Sequence, residues 1–288
     1  MNIKNIILVA KSECKRWIIN PRLITIFVIF IPVRELVIVP MILAASEINQ
    51  PLEIFEPCIA VLNQGLLVIL FAVIYFILIA KFPTMDGNLM LYIFRMGRKN
   101  WFIGEIVFQL CSSFLYCLII VLVNIFQTVS VSFAANGWSV VVTDYDKLSD
   151  GTLGIHMDSI ITPKLFFQMT PYKAFILSFL FFWIFIMICS MFLMLGCMYG
   201  KKLHCYILLF IQMVVGYCLC EFAKAYMWFL PFSHILLSMH YQDYLREYVF
   251  PPEVSMCILF LLLMAELIAG YRRVNKVSVD MIGGSVLP

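Results

Sequence analysis

The sequence predicts an all-α integral membrane protein with six transmembrane helices. Three observations carry that expectation: 63% of residues are hydrophobic, only 13% are charged, and the apolar residues gather into six windows. Soluble domains are about half apolar and about a quarter charged, so water is not the solvent for most of this chain. A spanning helix needs about 20 apolar residues, and six would use roughly 130. The rest suffices for loops, ends and surface helices, so residues 1–288 are expected to form a single membrane domain.

The windows fall at about residues 23–45, 61–82, 106–130, 174–199, 203–222 and 254–271. Lys and Arg in excess mark the cytoplasmic side of a helix bundle. With the N-terminus inside, that side holds Lys4, Lys11, Lys15, Arg16, Arg22, Lys81, Arg95, Arg98, Lys99, Lys201, Lys202, Arg272, Arg273 and Lys276. The opposite side then carries Glu47, Glu53, Glu56, Asp144, Asp146, Asp150, Asp158, Asp243, Glu247 and Glu253. Both termini are therefore expected in the cytoplasm.

Residues 1–20 read as an interfacial helix. Ile3, Ile6, Ile7, Ala10, Cys14 and Trp17 recur at helical spacing, with Lys4, Lys11, Ser12 and Lys15 on the other side. The basic face suits anionic headgroups and the apolar face the acyl boundary, and Asn20-Pro21 ends the helix.

Residues 86–104 form the next distinctive segment. Pro83 breaks the second span, Asp86 can cap a new helix, and Leu89, Tyr92, Ile93 and Met96 make one apolar face beside Arg95. Gly97 can close that helix in a left-handed turn, and Asn100 can cap the third span. The pattern gives a short amphipathic helix along the cytoplasmic surface, or else a solvated basic loop.

The outer loop, residues 131–171, is the longest. Asn136-Gly137 flanked by Val131, Phe133, Val140 and Val142 predicts a hairpin there. Between windows five and six, Tyr226, Trp228, Phe229, Phe232, Tyr241, Tyr244 and Tyr248 suit a membrane interface. A short re-entrant or surface helix after Pro231 would close the outer mouth, with Pro231, His234 and His240 as gate residues.

Arg34 and Glu35 stand in the middle of the first span. Its Leu, Ile, Val and Phe residues contribute about −0.3 to −0.6 kcal/mol each to insertion, against about +2.5 to +3.5 for each central charge. The sums nearly cancel, so the pair is expected to face protein or a wet cavity, with Pro32 and Pro40 making the helix irregular. Glu266 in the last span is a possible partner. A transport pathway and a purely structural contact both remain open.

Asp144 to Gly151 looks briefly like a calcium loop, but starting at Asp146 places Leu148 and Met157 where oxygen ligands belong. Gly196 to Lys201 is one residue short of a phosphate loop and lacks the following Ser or Thr. His156, His204, His234 and His240 are scattered, the ten cysteines hold no C-x-x-C pair, and no hydrolase motif occurs. No metal, cofactor or catalytic group is expected, and neither is an enzyme.

The order of parts resembles the permease subunit of a bacterial type-2 ABC exporter. The likeness rests on FEPCIAVLN before span two, KFPTMDGN with YIFRMGRKNW after it, TPYKAF before span four and MWFLPFSHILLSMH before span six. It implies a plasma-membrane protein that pairs with a second permease and docks on a separate cytoplasmic ATP-binding subunit. Asp86, Leu89, Tyr92, Ile93, Arg95, Met96 and Arg98 would couple to that subunit, which would hydrolyse the ATP. A peptide, lipid or drug-like substrate would be exported, and no nucleic acid is implicated. The Arg34-Glu35 pair and the long third-to-fourth loop depart from the family pattern. The alternatives are a non-transporting membrane immunity protein and a secondary transporter driven by an ion gradient.

Overall fold

A computed structural model describes residues 2–83, 93, 95–149, 153–222, 226–242 and 248–276. Helix α1 (Ile3–Ile18) begins where the Asn2 side chain accepts a hydrogen bond from the Lys4 N–H at 3.1 Å. Five helical stretches are long and apolar enough to cross a membrane: Pro21–Glu47, Arg98–Val131, Pro171–Met198, Lys202–Phe222 and Pro252–Lys276. The chain is thus a polytopic helical membrane protein.

The first stretch is a composite of α2 (Ile24–Val33), a π-helical turn at Arg34–Ile38, and α3 (Val39–Glu47). Pro32 and Pro40 lack the N–H that would continue an α-helical ladder, and the widened turn lies between them.

The second predicted span, 61–82, is not continuous. Helices α4 (Glu56–Asn63) and α5 (Gly65–Leu78) meet at 81° across Gln64, whose backbone is extended. Hydropathy averages over a single extended residue, and only tertiary contacts identify the break. The Asn63 amide donates to Ser178 Oγ at 2.8 Å, and its oxygen accepts from the Leu237 N–H at 2.9 Å. Gly65 follows because a Cβ there would meet the Tyr217 ring at 2.8 Å.

Helix α6 (Arg98–Thr128) starts eight residues before the predicted third span. Its N-cap is Gly97, with φ of 86°, while Asn100 lies inside the first turn and donates to the Met96 carbonyl at 2.9 Å. At about 1.5 Å per residue, 31 residues reach about 46 Å, beyond a hydrocarbon core of about 30 Å. The surplus turns receive α1. A Cβ at Gly104 would lie 2.6 Å from Val9 Cβ, so the two backbones approach closely. The buried face of α1 is accordingly Ile6, Val9, Ala10, Glu13 and Trp17, while Ile3 and Ile7 remain exposed.

Basic residues gather at one end of the bundle. Arg98 donates to the Asn275 carbonyl, Arg22 to Ile77 at 3.2 Å, and Lys202 to Ala80 and Phe82 at 2.6 and 2.9 Å. These bonds tie the basic side chains to backbone carbonyls at and just beyond the ends of α5 and of the Pro252–Lys276 stretch.

At the acidic end, β1 (Leu52–Glu53) pairs in parallel with β2 (Ser132–Phe133). The hairpin predicted at Asn136-Gly137 is replaced by helix α7 (Val140–Leu148), because Ser139 accepts from the Val142 N–H and starts a helix where alternation suggested a strand. Short helices α8 (Met157–Ile160) and α9 (Pro163–Phe166) lead into α10 (Pro171–Met198). Helices α11 (Lys202–Phe222) and α12 (Pro252–Arg273) complete the bundle. Between them, where a short re-entrant or surface helix was expected after Pro231, the described residues hold the 3₁₀ turns Met227–Phe229 and Leu237–His240 at the acidic end.

Candidate functional site

The break between α4 and α5 opens a crevice of about 290 Å³. Asn63, Gln64, Thr162, Tyr217, Glu221 and Ser238 give it polar lining, drawn from the broken helix, the loop before α10, helix α11 and the cap. The Thr162 hydroxyl is buried and has no partner among the described residues. A broken membrane helix that exposes polar groups to a cavity is a common way to build a substrate or ion site.

Two of the residues expected at the gate, His234 and His240, are buried at this end. His234 Nδ1 lies 2.8 Å and His240 Nε2 2.9 Å from the Ser255 Oγ on α12, and both rings are buried. His234 Nε2 faces the Trp228 carbonyl at 3.0 Å, and His240 Nδ1 faces Leu236 at 3.2 Å. A carbonyl only accepts, so each of those nitrogens carries hydrogen. The single Ser255 proton can then satisfy one neutral ring, and the second ring donates to Ser255 only when it takes up a proton. One extra proton on the pair satisfies all four contacts. Burial opposes that charge: it lowers both imidazoles, His240 to about 4. Pro231 is half-buried and makes no part of this network.

Beside the cap, Glu56 organises the loops. It accepts from the Ser139 N–H and Oγ, both at 2.7 Å, and from the Glu53 N–H at 2.9 Å. One Glu53 oxygen accepts from the Phe55 N–H at 2.8 Å, while the other is buried without a partner among the described residues. Burial pushes the Glu53 carboxyl up to about 7, against the three backbone N–H groups that favour its charged form.

A polar row along α6 was missed in the sequence. Glu105, Gln109, Ser112, Tyr116, Asn124 and Thr128 are all buried. Tyr116 donates to the Phe71 carbonyl at 2.7 Å, Tyr75 pairs with Ser112 at 3.1 Å, and Gln109 faces Ser190 on α10. The three- and four-residue spacing of Glu105, Gln109, Ser112 and Tyr116 was the available signal. High mean hydropathy concealed it.

Arg34 and Glu35 are exposed on this chain, so the protein or wet cavity they were expected to face is not supplied by its own described residues. The π turn carries Val37 and Ile38 into the core and leaves the charges outside among exposed Phe27, Val28, Ile31 and Leu36. Glu266 is half-buried, with one carboxyl oxygen unpartnered, and no ion pair joins it to Arg34 among the described residues.

Of the coupling residues, Asp86, Leu89 and Tyr92 lie outside the described residues. Ile93 is buried in the chain's own core; Arg95 is exposed, and Met96 and Arg98 are half-buried. The Met96 carbonyl accepts from Asn5 on α1 at 3.4 Å as well as from Asn100.

In comparisons with known proteins, no family model, no curated protein and no solved structure matches the chain. The class therefore rests on the apolar helices: a multi-pass membrane protein with a broken helix and a polar crevice.

Proposed function

We propose that the chain is the membrane-spanning permease subunit of a type-2 ABC exporter, acting with a second permease and a separate cytoplasmic ATP-binding subunit. The observation that carries this reading is the junction at Ile93–Arg98. The segment entering α6 is hydrogen-bonded to α1 through Asn5 and Met96, and to the end of α12 through Arg98 and the Asn275 carbonyl. A push delivered there passes directly into the third span, the interfacial helix and the last helix, as coupling to a motor subunit requires. The basic end would face the cytoplasm, by the excess of Lys and Arg. The substrate would be a peptide, lipid or drug-like molecule.

The polar crevice at the α4–α5 break favours a second reading, a secondary transporter, because discontinuous helices often hold coupling ions. Purification from the native membrane separates the two. An ATPase that co-purifies, and whose turnover falls in Arg95→Ala and Arg98→Ala at matched expression, supports the exporter. Transport that persists without any ATPase and follows an ion gradient overturns it.

A further inference from the structure

The C-terminal half of α1 walls a cavity of about 510 Å³ at the basic end, within the range of about 300–1,000 Å³ usual for small-ligand sites. Its charged lining is Lys15, Arg16 and Lys81 against a single carboxylate, Glu13, which already pairs with Arg16 at 3.1 Å. Lys15 and Lys81 are exposed and make no ion pair among the described residues. Trp17, Leu78, Phe82 and Phe108 supply an apolar floor. Trp17 is only 7% exposed, yet its indole N–H has no acceptor among the described residues. A buried donor without a partner costs about 1–3 kcal/mol, so its place on this wall points to an acceptor from outside the chain.

We propose that this cavity binds an anionic phospholipid, with the phosphate held by Lys15, Lys81 and the Trp17 N–H and the first acyl methylenes on Leu78, Phe82 and Phe108. The position fits: the cavity lies where the interfacial helix turns at Asn20-Pro21 into the first span, the depth at which headgroups meet chains. A zwitterionic lipid would bring its own cation toward Lys15 and Lys81. A free phosphate would leave the apolar floor unused. The bound lipid bridges α1 and the end of α5, two elements that meet at this cavity. The inference is independent of what the chain transports.

The test uses the full chain in detergent micelles, with native mass spectrometry and thermal unfolding read together. Phosphatidylglycerol, phosphatidylcholine of matched chains and inorganic phosphate are each titrated. Phosphatidylglycerol is expected to bind and to raise the unfolding temperature, while phosphatidylcholine binds at least about tenfold more weakly, by the charge difference at two Lys residues. Lys15→Gln and Lys81→Gln each weaken phosphatidylglycerol by about fivefold, the effect of one cation near an anionic headgroup. Trp17→Phe, which keeps the ring and removes the N–H, weakens it by about two- to tenfold. Lys81→Arg retains binding, and Lys11→Gln, outside the cavity, has no effect. Equal binding of phosphatidylcholine overturns the proposal, as does unchanged affinity in Lys81→Gln and Trp17→Phe. Displacement of the lipid by inorganic phosphate also overturns it, in favour of a free-anion site.

Discussion

At the scale of the residue, the proton count at His234, Ser255 and His240 makes the cap sensitive to pH. His240 has its folded-state value lowered to about 4 from the ordinary 6.5, so between those values the unfolded chain binds more protons. The cluster's contribution is therefore complete above about pH 6.5 and is lost as pH falls toward 4, by up to about 3 kcal/mol. Thermal unfolding in detergent from pH 7.5 downward should show this loss, and His240→Gln should flatten the profile. Ser255→Ala removes the shared hydroxyl and leaves both ring nitrogens facing a methyl. It should cost about 1–3 kcal/mol at neutral pH, the penalty for stranding a buried polar group. A wild-type unfolding temperature in Ser255→Ala would show that the two rings are satisfied without it.

At the scale of the element, the sequence was most legible where one physical signal acts alone. Long apolar runs marked the first, third, fourth, fifth and sixth windows, and helical spacing marked α1, because insertion energy and periodicity are local properties. The α4–α5 break was not legible, since Gln64 leaves the helix to satisfy Asn63 contacts from Ser178 and Leu237, residues more than a hundred positions away. The candidate crevice stayed hidden for the same reason, while His234 and His240 were picked out but Ser255, which joins them, was not. The α1–α6 contact likewise depends on Gly104 meeting Val9. Gly104→Leu should dislodge α1 from α6, read as faster proteolysis at residues 1–20, with a loss of about 1–3 kcal/mol for a forced overpacking. Gly137→Ala, where a Cβ meets nothing within 4 Å, is the matched control and should change neither.

At the scale of the whole molecule, the exposed Arg34 and Glu35 connect this chain to its surroundings. A central Arg in lipid costs about 2.5–3.5 kcal/mol, and the neighbouring carboxylate adds a similar cost, so bare exposure would leave the first span only marginally inserted. Adjacent exposed charges of opposite sign beside a twofold axis are self-complementary: Arg34 of one copy meets Glu35 of the other, twice. A second copy of this chain would thereby satisfy both charges and cover Phe27 and Ile31, exposed and four residues apart on the helix leading to the pair. Single reversals should break this arrangement, because Arg34→Glu places two carboxylates against each other at each contact, and Glu35→Arg does the same with two guanidinium groups. Each should lower the dimer fraction in liposomes at least about tenfold, equivalent to about 1.4 kcal/mol. The double reversal, Arg34→Glu with Glu35→Arg, restores both pairs with exchanged partners and should recover the dimer. Stepwise photobleaching of a fluorescently tagged chain measures this directly. If the single reversals assemble as well as the wild type, the pair does not lie at the interface; if they break assembly and the double reversal fails to restore it, the partner is a different chain whose own charges face Arg34 and Glu35.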